Sequence, residues 1–598
     1  MPYEAPLWKP KPLPPTEIVE AILSTQRLHP VIARVAARRI ASKDEVKTWF
    51  NALREPLCDP FAVNDVAVAV KRIREAIQSS QPITIFGDYD TDGITATTLM
   101  VQVLTQLGAV VKPFIPDRET EGYGLTPQAL ERCLQQAPVP ALLITVDCGI
   151  SSVAEVADLN ARGIDVIVTD HHVLPEVLPP ALAIVNPRIK APKGAEGMCG
   201  CATAFTLLRA LLADLGITDA PNYRAYLGLV AVATIADVMS LVGENRSLVA
   251  KGLWILADEM RGNPGLAALM LAQKVAPGHW QNQMTVSSKN LGESVNVETV
   301  SFGMVPCINA ASRIGHCDWA YDLLNVYPSV MKDKVTLAKT ETCQRAAQQL
   351  IEANKKRREI EQRLRTTIEA QQLQPCGNLV IAAGSREEGF EPGVLGIVAA
   401  RLSDRYHLPA VVCCVKPDGS ASGSMRSRGA WRAVEMLDTI ADLCEHYGGH
   451  DAAAGFALKS GTFEAFRERL PKAFEASVQT AEVLEYEEDL VDPIDSCFCY
   501  DMERLEPFGM DNPRPRFAKH FILRSWSAIG SDKTHLRLSL KDPSEAVSGY
   551  YDAVWFGAAH RAQHWTPGQH IRFIFTLSRD KLRPTEWKLS IEDAIPIP

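Results

Sequence analysis

The chain has 598 residues, of which 46% are apolar and 22% charged, and a formal net charge of −9. That is the composition of an ordinary globular protein, with room for about four domains of ~150 residues. The negative total excludes a general nucleic-acid coat but leaves room for a local basic groove, since binding follows the local field.

The start, MPYEAPLWKPKPLPP, is proline-rich and lacks the apolar core of an export signal. Residues 1–60 read as an N-terminal extension, in which this arm gives way to helical pattern through 29–53. From there strands and helices alternate: a strand at 83–86, a helix from Ile94 to Leu107, a strand at 110–115, a helix at 126–136 capped by Thr126 ahead of Pro127, a strand at 141–146, a helix at 151–163 and a strand at 165–169. Such alternation predicts a parallel sheet covered by helices on both faces. The longest apolar run, LGLVAVATIADVMSLVG (227–243), is shorter than the ~20 residues that span a bilayer and reads as a buried core helix interrupted by Asp237. It belongs to a first α/β domain over 61–330.

A charged stretch without proline or glycine, 332–373, predicts one long helix joining two lobes, placed within a connector at 331–375. A second, smaller α/β domain follows at 376–480, with strands near NLVIAA and AVVCCV. Residues 482–495 hold seven carboxylates and no Lys or Arg. Over 481–598 short β-like runs separated by turn residues predict a small β-barrel. The 14 cysteines show no C-x-x-C spacing, which argues against zinc, and reduced thiols in a cytoplasmic protein are the natural reading.

Acidic residues gather where this layout puts strand ends. Asp88, Asp90 and Asp92 follow the strand at 83–86, Asp147 follows the one at 141–146, and Asp170, His171 and His172 follow the one at 165–169. Open α/β sheets place their ligand crevice outside the carboxyl ends of the strands. An unpaired carboxylate at Asp237, inside an apolar run, would cost several kcal/mol. Few basic residues neighbour these sites, so one or two divalent cations are the economical partner, and carboxylates with imidazoles suit manganese or magnesium.

Three other readings fit less well. A calcium loop needs a glutamate at its twelfth position, which is Leu99. A dehalogenase-type phosphatase would use DTDG (90–93) to form an aspartyl-phosphate but has no use for paired histidines. A dipole-favoured acidic helix start explains one or two aspartates, not acids on three strand ends.

In order and spacing, GDYDTDGIT, TVDCGI, TDHH and VATIADVMSL resemble the four motifs of the DHH phosphoesterase superfamily. GYGL (122–125), INAASRIG (308–315), GVLGIVAARL (393–402), SGSMRSRG (422–429), YGGHDAAAGF (447–456) and LEPFGMDNPRPRF (505–517) narrow the resemblance to its RecJ family. The resemblance covers nearly all of the chain from about residue 28. It implies a DHH domain, a DHHA1 domain and an OB-like barrel. It also implies a two-metal exonuclease that degrades single-stranded DNA from the 5′ end to 5′-mononucleotides in repair and recombination.

The resemblance makes Asp90, Asp92, Asp147, His171 and Asp237 ligands of two Mn2+ or Mg2+ ions, with Asp147 as the bridge and Asp88 completing one site. His172 would face the scissile phosphate, and Asp170 would orient a histidine. Some relatives carry a histidine at the position of Phe86, and many carry one at Glu391. Arg118, Asn309, Arg313, Ser424, Arg426 and His450 match residues that hold the terminal 5′-phosphate and nearby nucleotides. A single-strand-binding protein and a helicase are the implied partners, with no membrane and a monomeric chain. The enzymatic alternative is a DHH phosphatase acting on dinucleotides or short oligonucleotides. The barrel and connector argue against it, because a small substrate needs neither. A replication-scaffold relative with a decayed site is a third reading, opposed by the full ligand set.

From Arg504 to Lys541 eight Lys or Arg stand against three Asp or Glu, a local net of 8 − 3 = +5. Phe517, Phe521, Trp526, Tyr550, Trp555, Phe556 and Trp587 interleave with or follow them, which suits single-strand binding by stacking, although barrel strands also bury aromatics.

Overall fold

The structure, a computed structural model, describes the chain except residues 1–5, 218–222, 278–294, 327–332, 430, 476–482, 531–532, 545–549, 580–586 and 598. Its first lobe is built on five parallel strands, in the spatial order Val111–Phe114, Ile83–Phe86, Leu142–Val146, Asp165–Thr169 and Ala183–Val185. Alternation of side chains divides the sheet between two cores. Ile83 and Ile85 pack with the helices Val66–Gln78, Thr91–Gln106 and Gly200–Asp214. Phe86 turns to the other face and stacks on Phe114, at 4.9 Å between centroids, beneath the helices Pro127–Gln135 and Val153–Ala161. The strand order reverses between Ile83–Phe86 and Leu142–Val146, which is where such sheets open a crevice.

Three elements differ from their sequence expectation. The first long helix begins at Thr91, not Ile94, because the Asp90 side chain caps it, accepting the N–H groups of Asp92 and Gly93 at 2.9 and 3.1 Å. The apolar run 227–243 is not one helix: it ends at Ala236, and the next helix is Gly243–Ala257. Val238 turns left-handed at φ 53°, and the Leu241 N–H is bound instead by the Met510 carbonyl at 2.9 Å. Asp237 is therefore half-buried at a helix end and not enclosed within a helix. The connector likewise starts late, at Glu341. A short helix, Lys334–Ala338, precedes it, and Thr340 is extended (φ −63°, ψ 149°) at its N-cap.

The connector Glu341–Ala370 has 30 residues, about 45 Å of helix. Cys343, Ala347 and Leu350 join the first lobe's core, whereas Leu364 and Ile368 join that of the second lobe. The second lobe has a mixed sheet ordered Cys444–His450, Ala453–Leu458, Ala421–Arg426, Ala410–Val415 and Val380–Gly384. The strands Arg516–Ile529, His535–Lys541, Tyr550–Trp555, Trp587–Pro596 and His570–Arg579 close into a barrel. It shuts where Arg516–Ile522 pairs with His570–Thr576. No helix among the described residues is long and apolar enough to cross a membrane.

The N-terminal helices Thr16–Gln26 and Pro30–Ala37 share one core with the barrel, and Leu7–Pro10 pairs in parallel with Val483–Tyr486. The acidic stretch is the clamp between them. Glu487, 2% exposed, meets Lys11 at 2.8 Å, Arg39 at 3.2 Å and Arg38 at 3.3 Å, while Glu488 meets Arg34 at 2.7 Å. Glu487→Gln keeps the shape but removes the charge these three cations face. It is expected to weaken the barrel unit by about 2 kcal/mol, the worth of a buried charge-assisted hydrogen bond. The readout is the barrel's thermal unfolding midpoint, which should fall, and a wild-type midpoint would refute the clamp.

Candidate active site

The predicted acids converge over the crevice. Asp147 stands at the end of Leu142–Val146 with a left-handed backbone (φ 63°) that an aspartate tolerates, fixed by its N–H to the Thr169 carbonyl at 3.0 Å. Asp92, in the first turn of its helix, accepts the Gly200 and Cys201 N–H groups, both at 2.7 Å. The start of the Gly200–Asp214 helix is thus a cradle for one carboxylate. Three sets of ligand atoms lie within 4.8 Å of one another: Asp88 with Asp90 and Asp147, Asp92 with His171 and Asp237, and Asp147 with His171 and His172. His171 Nε2 is 3.1 Å from Asp147, 3.6 Å from Asp237 and 3.8 Å from Asp92. The sets overlap at Asp147 and His171, as a pair of neighbouring cation sites requires.

Electrostatics favours cations there. Burial, then the neighbouring aspartates, pushes Asp88 and Asp147 well above the usual carboxylate range. The same causes raise Asp237 to about 8 and Asp92 to about 6, Asp92 being held down partly by the Cys201 and Gly200 N–H groups. Asp88 Oδ1 is buried with no hydrogen-bond partner among the described residues. Oxygen-rich donors with imidazole fit manganese or magnesium. Phe86, in its aromatic stack, offers no ligand atom.

Asp170 is fully buried and orients its neighbours. It accepts the N–H groups of His171 (2.7 Å) and Ile150 (2.9 Å) and meets His172 Nδ1 at 2.8 Å. Burial lowers the His172 imidazole's basicity, but Asp170 outweighs it and holds the pKa at about 9. Several contributors were not picked out in the sequence. The Tyr123 hydroxyl meets both the Asp147 carbonyl and His172 Nδ1 at 3.1 Å, and Arg188 donates to the His171 carbonyl at 2.6 Å. Gly200 is a third case: a Cβ on it would lie 2.5 Å from that of Asp147. The glycine between two cysteines at a helix start was the available signal. Gly200→Ala is expected to displace Asp147 or the cradle and to lower any activity of this site by about 10- to 100-fold, as lost support of a metal ligand does. Titration with Mn2+ should show the same loss of affinity, and unchanged affinity would refute it.

Beside Asp90 lies an arginine cluster at the junction of the lobes. Burial lowers Arg313 to about 9, and Arg118, Arg357 and Arg426 add repulsion that Asp90 opposes. Arg313 donates to the Gly393 carbonyl at 3.0 Å, and Arg118 lies 4.8 Å over the Tyr89 ring. Arg426 is held by Ser424 Oγ and the Met425 carbonyl, each at 2.9 Å. Gly396 makes room for it, since a Cβ there would come within 2.7 Å of its guanidinium. Asn309 is occupied locally, accepting the Thr91 N–H and hydroxyl at 2.9 and 2.8 Å. His450 closes the strand Cys444–His450, and its side chain lies outside the described residues. Glu391 pairs with Arg386 at 2.9 Å, and Arg386 also bridges to Glu119 of the first lobe. Along 354–363 Asn354 and Glu361 turn inward, whereas Lys355, Lys356 and Arg358 are exposed.

The barrel buries some of its aromatics and exposes others. Phe517, Phe521 and Trp555 are core, and Trp526 donates to the Trp565 carbonyl at 3.1 Å. Phe556 is 67% exposed and Tyr550 50% exposed, with the Arg524 guanidinium 3.9 Å over the Tyr550 ring. Trp587 lies under Arg579 at 5.0 Å.

Residues 82–234 match the N-terminal domain of the DHH family, 377–476 the DHHA1 domain and 490–593 the RecJ OB domain. The chain is 31% identical over 584 residues to the single-stranded-DNA-specific exonuclease RecJ of Haemophilus influenzae, covering 93% of this chain and 94% of the relative. With RecJ of Bacillus subtilis it shares 31% over 567 residues, covering 93% of this chain but only 66% of that protein's length. The crystal structure of Thermus thermophilus RecJ in complex with Mn2+ superposes with a TM-score of 0.79 at 28% identity, covering 98% of this chain and 79% of the other; that of the same protein with Mg2+ gives 0.74.

Proposed function

This chain belongs to the RecJ family, and from that premise we propose that it is a metal-dependent exonuclease hydrolysing single-stranded DNA from its 5′ end to 5′-mononucleotides, in repair and recombination. The observation that carries the proposal is the pairing of three overlapping sets of carboxylates and histidines with a half-buried arginine cluster on the Asp90 side. One centre suits cations and the other suits an anion, and a terminal phosphate next to a scissile one needs both.

Asp88, Asp90, Asp92, Asp147, His171 and Asp237 would hold two Mn2+ or Mg2+ ions. When bound, such a pair supplies a hydroxide at neutral pH and neutralises charge on the leaving oxygen. The chain's own residues do the rest. Arg118, Arg313 and Arg426, with Ser424 and His450, seat the terminal phosphate by charge-assisted hydrogen bonds. Asn309 holds the Thr91 end of the acidic loop in place. His172, oriented by Asp170 and Tyr123, faces the scissile phosphate. Tyr550, Phe556 and Trp587 offer rings on which bases of the trailing strand stack.

By this reading 61–330 and 376–480 form the catalytic cleft around the connector 331–375. Residues 481–598 grip the strand, braced by the N-terminal extension (1–60), whose helices at 16–37 pack on the barrel. The resemblance to RecJ extends the proposal to a cytoplasmic monomer working with a single-strand-binding protein and a helicase. The test is digestion of one long single strand carrying a 5′ or a 3′ label, with Mn2+. The 5′ label should appear at once as mononucleotide; no digestion, or early release of the 3′ label, overturns the proposal.

A further inference from the structure

Six helix ends in the first lobe close with the same pair of hydrogen bonds, the residue after the cap turning left-handed. At Gly108, Gly163 and Gly216 the residue is glycine, and at Ser80 and Lys274 it is an unbranched side chain. The sixth is Val238 (φ 53°). Its N–H binds the Ile235 carbonyl at 3.2 Å, and the Met239 N–H binds that of Thr234 at 3.1 Å. Glycine suits this position because a Cβ crowds the backbone, and a β-branched residue suits it least. Among the described residues Val238 is the one β-branched residue with a positive φ. Burial does not offset the strain, because Val238 is 60% exposed.

Its place is the informative part. Val238 directly follows Asp237, whose carboxylate is 3.6 Å from His171 Nε2. The loop it opens is joined by the Leu241–Met510 hydrogen bond to the segment leading into the barrel. Strained residues cluster at active sites and ligand clamps, where the strain is part of how the site works. We propose that the Val238 side chain is a substrate contact: its two methyl groups bear on the apolar face of the nucleotide, sugar or base, at the bond being cut. The contact is independent of sequence, since every nucleotide offers such a face. This rests on the nuclease reading above.

The test is Val238→Gly, which keeps the left-handed backbone and so leaves Asp237 in place. Wild-type digestion of the single strand checks the nuclease reading by itself; the ratio of variant to wild type checks this inference. The expected result is an unfolding midpoint equal to or above wild type and unchanged Mn2+ affinity by calorimetry. Together with these, kcat/KM should fall about tenfold or more, since even one missing methylene-sized contact is worth about that much and the substitution removes both methyl groups. Repeating the comparison on a strand with abasic 5′ nucleotides separates the two faces: a base contact makes the loss vanish, and a sugar contact leaves it intact. A variant within twofold of wild type on the normal strand overturns the proposal. So does a loss accompanied by lower stability or weaker Mn2+ binding, which would make Val238 structural.

Discussion

Replacing Asp147 with asparagine is expected to lower single-strand digestion by about 1,000-fold or more, roughly 4 kcal/mol of transition-state stabilisation. The reason is its position in the overlap. Asp147 belongs to the set with Asp88 and Asp90 and to the set with His171 and His172. Removing its charge therefore weakens both cation positions, whereas Asp88→Asn touches only one and should do less harm. Binding of the strand should survive, because the arginine cluster and the barrel are untouched. Fluorescence anisotropy with a labelled oligonucleotide in EDTA measures this directly.

The same variant separates a metal centre from a mere acidic pocket. Without cations the cluster opposes folding, since burial and mutual repulsion push Asp147, Asp88 and Asp237 upward. The asparagine variant should then unfold at or above the wild-type temperature in EDTA. Mn2+ at 100 times its Kd should stabilise the wild type by about 2.7 kcal/mol per site and the variant far less. Cleavage within tenfold of wild type, or equal stabilisation of both proteins by Mn2+, would show that Asp147 is not the bridge.

The acids at the ends of the first, third and fourth sequential strands were legible because short apolar runs bounded by turn residues fix strand ends. Strand ends in turn fix where charge can gather. The supports of those acids were not legible. Asp92 is held by backbone N–H groups more than a hundred residues away, and nothing in a backbone donor marks it in a sequence. The break after Asp237 was hidden because Val238, Met239 and Leu241 continue an apolar helical pattern, and the residue that reverses the chain is not the expected glycine. The packing of residues 16–37 on the barrel is likewise a long-range event. Its trace, an acidic run facing a basic helix, reads from sequence only as two solvated charge patches. In the barrel, strand alternation put Phe517 and Phe521 inside, with Lys519 between them. Lys519 is buried against Asp542 at 3.2 Å, so even a lysine followed the strand's parity.

The arginine cluster gives the second large effect. Arg426→Met is expected to reduce kcat/KM on 5′-phosphorylated strands by about 100- to 1,000-fold, the loss of two charge-assisted hydrogen bonds to phosphate. On 5′-hydroxyl strands, which bring no terminal charge, the change should be small, so that the preference between the two ends largely disappears. The fold should not suffer. Burial and Arg118 already disfavour the charged Arg426, so removing it relieves repulsion, and the space kept open by Gly396 accepts an apolar chain of similar length. Inorganic phosphate should raise the unfolding midpoint of the wild type and leave that of the variant nearly unmoved. If the variant keeps its preference for phosphorylated ends, the terminal phosphate sits elsewhere, and the four converging guanidinium groups would have to be a junction between lobes. A junction role predicts the opposite stability result, because Arg426→Met would then lower the unfolding midpoint instead of raising or preserving it.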